Sequence, residues 1–176
     1  DGSGTKEGET KKPAGLIVSW ESLQDRQEKL EDIINKQIPE NSKEIAVARE
    51  YGDLRENFEF KAAKQQQAVL MRQKAELEAE ISTARGTDFS DANTSIVSVG
   101  TVVDFEDVSS GSTETVTVLG AWDTDTEKSI VSYLSGMGSA MLGKKQGEQV
   151  DLPTEKEGEK RTVLIKEIKA YFTPAS

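Results

Sequence analysis

Two apolar runs at helical spacing, separated only by a short stretch around Tyr51 and Gly52, constrain this chain more than any other feature. Trp20, Leu23, Gln27, Leu30 and Ile34 fall three and four residues apart, which marks one face of an amphipathic helix. Phe60, Ala63, Gln67, Leu70, Lys74, Leu77, Ile81 and Ala84 repeat the same steps over several heptads, a coiled-coil seam with two polar intrusions. A seam needs a partner to bury it, and so short a connection lets the arms meet only as antiparallel neighbours. The spacing therefore predicts an α-helical hairpin. With helix over 57–84, a rise of about 1.5 Å per residue makes the second arm a rod of roughly 40 Å.

The break between the arms carries two carboxylates three residues apart, Asp53 and Glu56. Gly52 suits the left-handed turn that ends a helix, and Asp53 with Glu56 matches the D-x-x-E form of a capping box. On the residues alone, capping is the ordinary reading. It does not exclude a second one, because residues three apart at a helix start project to the same side and can offer oxygens to one hard cation. Two carboxylates are too few to hold Mg²⁺ alone, so any further ligands come from elsewhere. Between Lys43 and Lys74 seven basic residues stand against five acids, in a chain of net charge −10. The basic hairpin suits contact with an anionic partner; the competing reading is a solvated helix face laced with i,i+4 ion pairs.

From 87 to 98 the chain turns to Thr, Ser, Asp and Asn, a loop composition. Strand signals follow at 99–105, 115–119, 128–134 and 162–170, with a tight turn over 143–148 leading into 150–152 and no more than a helical turn at 139–142. The expected class is α+β: an N-terminal antiparallel coiled-coil hairpin over 16–86, a linker over 87–98 and a small β-sheet domain with a short helix over 99–173. Residues 1–15 hold almost no large apolar side chain and read as a disordered tail or linker, consistent with a piece of a longer polypeptide. With no cysteine and no histidine, thiolate and imidazole chemistry are excluded. The acidic balance argues against independent binding to duplex DNA, whose affinity comes from many Lys and Arg. No apolar run approaches the roughly 20 residues of a membrane span, so a cytoplasmic location is expected.

The run Tyr51 to Asn57, Y-G-D-L-R-E-N, followed by A-A-x-Q-Q-Q at Ala62 to Gln67, closely resembles the tip of the GreA/GreB family of bacterial transcript cleavage factors. The later half is similar to the family's C-terminal domain through V-G-T-V-V from Val99 and L-G-K-K-x-G-E from Leu142. The resemblance covers about 16–172. It implies a hairpin that enters the secondary channel of RNA polymerase and an FKBP-like domain that docks at the channel rim. It also implies that Asp53 and Glu56 complete an Mg²⁺ site held jointly with the polymerase, beside the nascent RNA 3′ end, so that the polymerase itself cleaves backtracked RNA. Gly52, Leu54, Arg55 and Asn57 match the supporting tip positions, with Leu54 a contact or packing residue and Asn57 either an orienting group or a helix-start hydrogen bonder. Arg49 and Lys64 match basic positions flanking the tip, and with Lys61 they are the expected RNA-contacting cations. The Ala62–Gln67 run is closer to the GreA branch, which implies short backtracks as substrate.

Several features of the chain depart from the family or tempt a functional reading. Phe60 stands where the family often has Tyr, and Ser135-Gly136-Met137 where it often has Ser-Pro, which implies a looser loop there. Met137, Met141 and Leu142 are a candidate polymerase-docking patch, though apolar residues at a short helix are more often core. Asp123, Asp125 and Glu127 lack the Gly and distal Glu of a calcium loop and read as a solvated turn. An FKBP-like shape does not by itself imply prolyl isomerase activity. The alternatives are a channel-binding regulator that does not stimulate cleavage, which the retained acids disfavour, and a structural coiled-coil adaptor.

Overall fold

The computed structural model describes residues 15–52 and 57–174. These form two compact units, one of Leu23–Ala84 and one combining the chain up to Ser22 with everything from Arg85 on.

The first unit is the expected hairpin. Its first arm runs through α1 (Trp20–Asp32), a π-helical turn (Ile33–Gln37) and α2 (Ile38–Arg49), and its second is α3 (Phe58–Thr83), 26 residues or about 39 Å long. The eight seam positions predicted from Phe60 to Ala84 are all at least partly buried, with Ala63 and Leu70 fully so. In the first arm the inward residues are Leu23, Arg26, Leu30 and Ile33, then Gln37, Asn41, Ile45 and Ala48. Gln27 and Ile34 are exposed, which corrects the predicted seam.

Two physical causes account for the shift. Arg26 is half-buried and pairs its guanidinium with Glu80 across the hairpin at 2.7 Å. Pro39 has no N–H to donate to the carbonyl four residues back, and the helix widens just there: Ile38 N–H bonds the carbonyl of Ile33. The extra residue of that wide turn keeps 33, 37, 41 and 45 on one side at an unbroken spacing of four. Register between the arms is marked by Asn41, only 4% exposed, whose Nδ2 donates to the Ala63 carbonyl at 2.9 Å.

The second unit holds a five-stranded mixed sheet in the order β5-β4-β3-β7-β6, formed by β3 (Thr101–Asp107), β4 (Thr113–Leu119), β5 (Ile130–Ser132), β6 (Gln149–Pro153) and β7 (Lys160–Ala170). Neighbours are antiparallel except β4 and β5. Alternation decides which face is buried: Val103, Phe105, Val116, Val118, Val150, Leu152, Val163 and Ile165 all point to one core. A register shift between Asp104 and Phe105 against β7 keeps Phe105 in that core.

A separate two-stranded sheet pairs β1 (Leu16–Ser19) with β2 (Ala84–Thr87). Neither strand was predicted: both read as the ends of helical runs. Trp20 is accordingly no seam residue. Its ring lies against Gly86, where any Cβ would collide with it. Within the stretch expected as linker, Phe89 and Val97 are buried, and the backbone of Val97 bonds Lys144 and Gly143.

The short helix α4 spans Gly136–Met141, earlier and longer than the turn predicted at 139–142. Its N-cap is Ser135, which accepts from Gly138 N at 3.0 Å. Ser135-Gly136-Met137 is therefore the capped start of a helix rather than a loose loop.

Candidate functional site

The tip is built by the two helix ends that face each other across it. α2 ends at Arg49 with Glu50 as C-cap, and the chain then turns through Tyr51 to Gly52 at φ +103°. Gly52 takes the positive φ expected of it, two residues beyond the C-cap Glu50. Asp53, Leu54, Arg55 and Glu56 lie outside the described residues.

The start of α3 lies beyond the Asp53–Glu56 capping box, which is outside the described residues. Its N-cap is Asn57, in an extended conformation, with Oδ1 accepting from Phe60 N at 2.9 Å. The same side chain donates from Nδ2 to the Ala48 carbonyl at 2.6 Å, on the last turn of α2. A carboxylate at this position accepts but cannot donate, whereas an amide does both. α3 thus begins four residues later than a cap at Asp53 requires.

Three basic candidates flank this clasp. The Arg49 guanidinium sits 5.9 Å from the centre of the Phe60 ring, and Lys61 Nζ sits 5.8 Å from that of Phe58. Lys64 Nζ donates to Gln67 Oε1 at 2.9 Å, one turn further along α3. All three are exposed. The aromatic content of the tip was not singled out from the sequence: Tyr51 is 72% and Phe58 81% exposed. Among the described residues no group of three or more acidic, His or Cys side chains gathers to hold a metal.

Of the predicted docking patch, Met141 has no exposed surface to offer, while Met137 and Leu142 are partly buried. Met141 is fully buried in the core of the sheet unit, and Met137 and Leu142 pack against that core. The short helix spends its apolar side chains on covering the sheet, which is the ordinary outcome for such a helix. The exposed apolar side chain nearby is Leu134, just ahead of α4. Asp125 receives the N–H groups of Glu127 and Lys128, the solvated turn expected, while Asp123 has a structural role described below.

Comparison with known proteins places these two units. Residues 16–85 match the family model described as "Transcription elongation factor, N-terminal", and 92–170 match "Transcription elongation factor, GreA/GreB, C-term". The chain is similar to transcription elongation factor GreA of Treponema pallidum (strain Nichols), with 42% identity over 136 residues, 77% of this chain and 84% of that one. It is similar to GreA of Borreliella burgdorferi, with 36% identity over 137 residues, 78% of this chain and only 15% of that protein. A solved structure similar to it is the GreA factor homolog 1 (Gfh1) protein of Thermus thermophilus, at 24% identity over 89% of this chain and 99% of that one, with a TM-score of 0.39. No helix among the described residues is long and apolar enough to cross a membrane. The chain belongs to the GreA/GreB family of transcription elongation factors.

Proposed function

We propose that this chain is a cytoplasmic transcript cleavage factor that reaches with its hairpin tip into the secondary channel of RNA polymerase and stimulates the polymerase's own Mg²⁺-dependent cleavage of backtracked RNA. The observation that carries this reading is the cap of α3. Asn57 caps that helix through its own side chain, and Asp53 and Glu56 precede the cap in the chain.

The donor chemistry fits Mg²⁺ on one condition. Two carboxylates supply fewer oxygens than an octahedral ion takes, so Asp53 and Glu56 suit an ion whose other ligands are polymerase carboxylates, RNA phosphate and water. When bound there, the ion lowers the pKa of a water and stabilises in-line displacement at phosphorus. The chain's own part is to bring two oxygens to the ion on a long stiff support and to steady the RNA 3′ segment with Arg49, Lys61 and Lys64. It is not an enzyme by itself. At net charge −10 it has no independent affinity for duplex DNA.

The test is RNA 3′-end cleavage in a purified backtracked elongation complex with Mg²⁺. The chain is expected to accelerate cleavage, and Asp53→Asn/Glu56→Gln to bind the polymerase equally well and accelerate nothing. Equal stimulation by both proteins would overturn the reading.

A further inference from the structure

We infer that Tyr51 and Phe58 form a base-stacking platform for the unpaired nucleotides of a single-stranded RNA, with Arg49 and Lys61 as the cations beside it. The inference rests on the function proposed above and adds to it the residues that grip the extruded RNA by its bases rather than its phosphates.

Among the described residues, Tyr51 and Phe58 are the most exposed of the large apolar side chains. The hairpin has no use for either ring, because the seam at this end is closed by Ala48 and Ala63, both buried. The two rings also belong to one spot. The Ala48 carbonyl accepts from Tyr51 N at 3.2 Å and from Asn57 Nδ2 at 2.6 Å, which draws Tyr51 and the residue before Phe58 onto a single oxygen atom. Phe58 opens α3, and a side chain in the first turn leans toward the helix N-terminus, the end at which Tyr51 stands. Single exposed apolar side chains are ordinary, but neighbouring rings flanked by charge make a contact surface.

The cations decide what that surface fits. Lys61, one turn on, sets Nζ 5.8 Å from the centre of the Phe58 ring, and the Arg49 guanidinium lies 5.9 Å from that of Phe60. With Lys61 beside it the Phe58 ring is still 81% exposed, so a face is left for a base. Flat rings next to cations match the two halves of a nucleotide, its π face and its phosphate, and hold single strands without reading their sequence. A duplex keeps its base faces stacked inside, so the platform selects an unpaired strand.

The experiment measures the affinity of the wild-type chain, Phe58→Leu, Tyr51→Leu and Phe58→Trp for two elongation complexes without Mg²⁺, one backtracked and one with the RNA 3′ end in place. Leu keeps apolar bulk and removes the ring, whereas Trp keeps a ring. Expected are thermal midpoints within about 4 °C of wild type for all variants. Affinity for the backtracked complex is expected to fall about tenfold in both Leu variants and to hold in Phe58→Trp, with affinity for the other complex unchanged throughout. Equal losses on both complexes overturn the inference, since the rings then touch the polymerase, and so does no loss on either. A loss confined to the backtracked complex, with a wild-type chain that accelerates no RNA cleavage once Mg²⁺ is added, leaves the platform standing and removes the proposed function instead.

Discussion

The carboxylate of Asp123 holds both the main-chain N–H of Ser19, at 3.0 Å, and its hydroxyl, at 2.5 Å, across 104 residues of sequence. It also accepts from Gly120 N at 3.0 Å and from the Ser22 hydroxyl. One acidic side chain thus fastens the end of β1 and the start of α1 to the turn after β4. Asp123→Ala leaves these donors without their acceptor and is expected to cost about 2–3 kcal/mol, since hydrogen bonds to charged groups contribute about 1.5–3 kcal/mol. Urea unfolding measures the loss, and hydrogen exchange should show the Ser19 and Gly120 amides deprotected. A cost below about 0.5 kcal/mol would show that β1 is held by other contacts.

Asn41 sets the register of the hairpin rather than its stability. A single buried amide in a helical seam specifies alignment at some expense of stability. Asn41→Leu is expected to leave the unfolding free energy unchanged or raise it by about 1 kcal/mol, while size-exclusion chromatography or NMR reveals additional alignments or association states. A loss of more than about 2 kcal/mol with a single conformer would contradict this.

Gly138 is the third residue of α4, where an added Cβ would collide with the Ser132 carbonyl, a backbone atom that cannot swing away. Gly138→Ala is expected to destabilise the sheet unit by about 1–3 kcal/mol, the usual range for overpacking. Gly143→Ala, at φ +82° with open space around it, acts through backbone strain alone and should cost about 1 kcal/mol. Thermal unfolding of the two variants side by side tests the difference in mechanism.

Arg161 lies 5.6 Å from the centre of the Phe105 ring, bonds Asp107 through Nε at 2.5 Å and pairs with Glu114 through Nη2. The hydrogen bond from Arg161 holds the Asp107 carboxyl below its ordinary value of 3.8, helped by the Ser110 and Ser109 amides. A depressed carboxyl stabilises the fold fully above its unfolded value and loses that contribution as pH falls through the lower folded value. The wild-type chain should therefore lose this increment only below about pH 4. In Arg161→Gln the unfolding free energy should be lower at neutral pH and fall less steeply between pH 4 and 2. Parallel curves for the two proteins would show that the pair carries no linked proton.

Much of the hairpin was legible because a coiled-coil seam is a local, periodic signal: Phe60 to Ala84 needed only spacing and polarity to be read. The first arm was less so. A uniform period cannot place Arg26 inward, which depends on Glu80 waiting on the other helix, nor anticipate the wide turn that Pro39 imposes at Ile33–Gln37. At the tip the motif located the acids, but the cap went to Asn57, since only an amide serves Phe60 N and the Ala48 carbonyl together.

By itself the amino-acid order determined the periodic elements, the break between the arms, the sheet's buried face and the absence of thiol and imidazole chemistry, because each is a property of neighbours along the chain. Only the tertiary structure decided that Leu16–Ser19 is a strand, that Met141 is core and that Asp123 answers to Ser19. Those outcomes depend on partners tens to a hundred residues away, and a side chain's burial or hydrogen bond is settled by whatever folding brings against it.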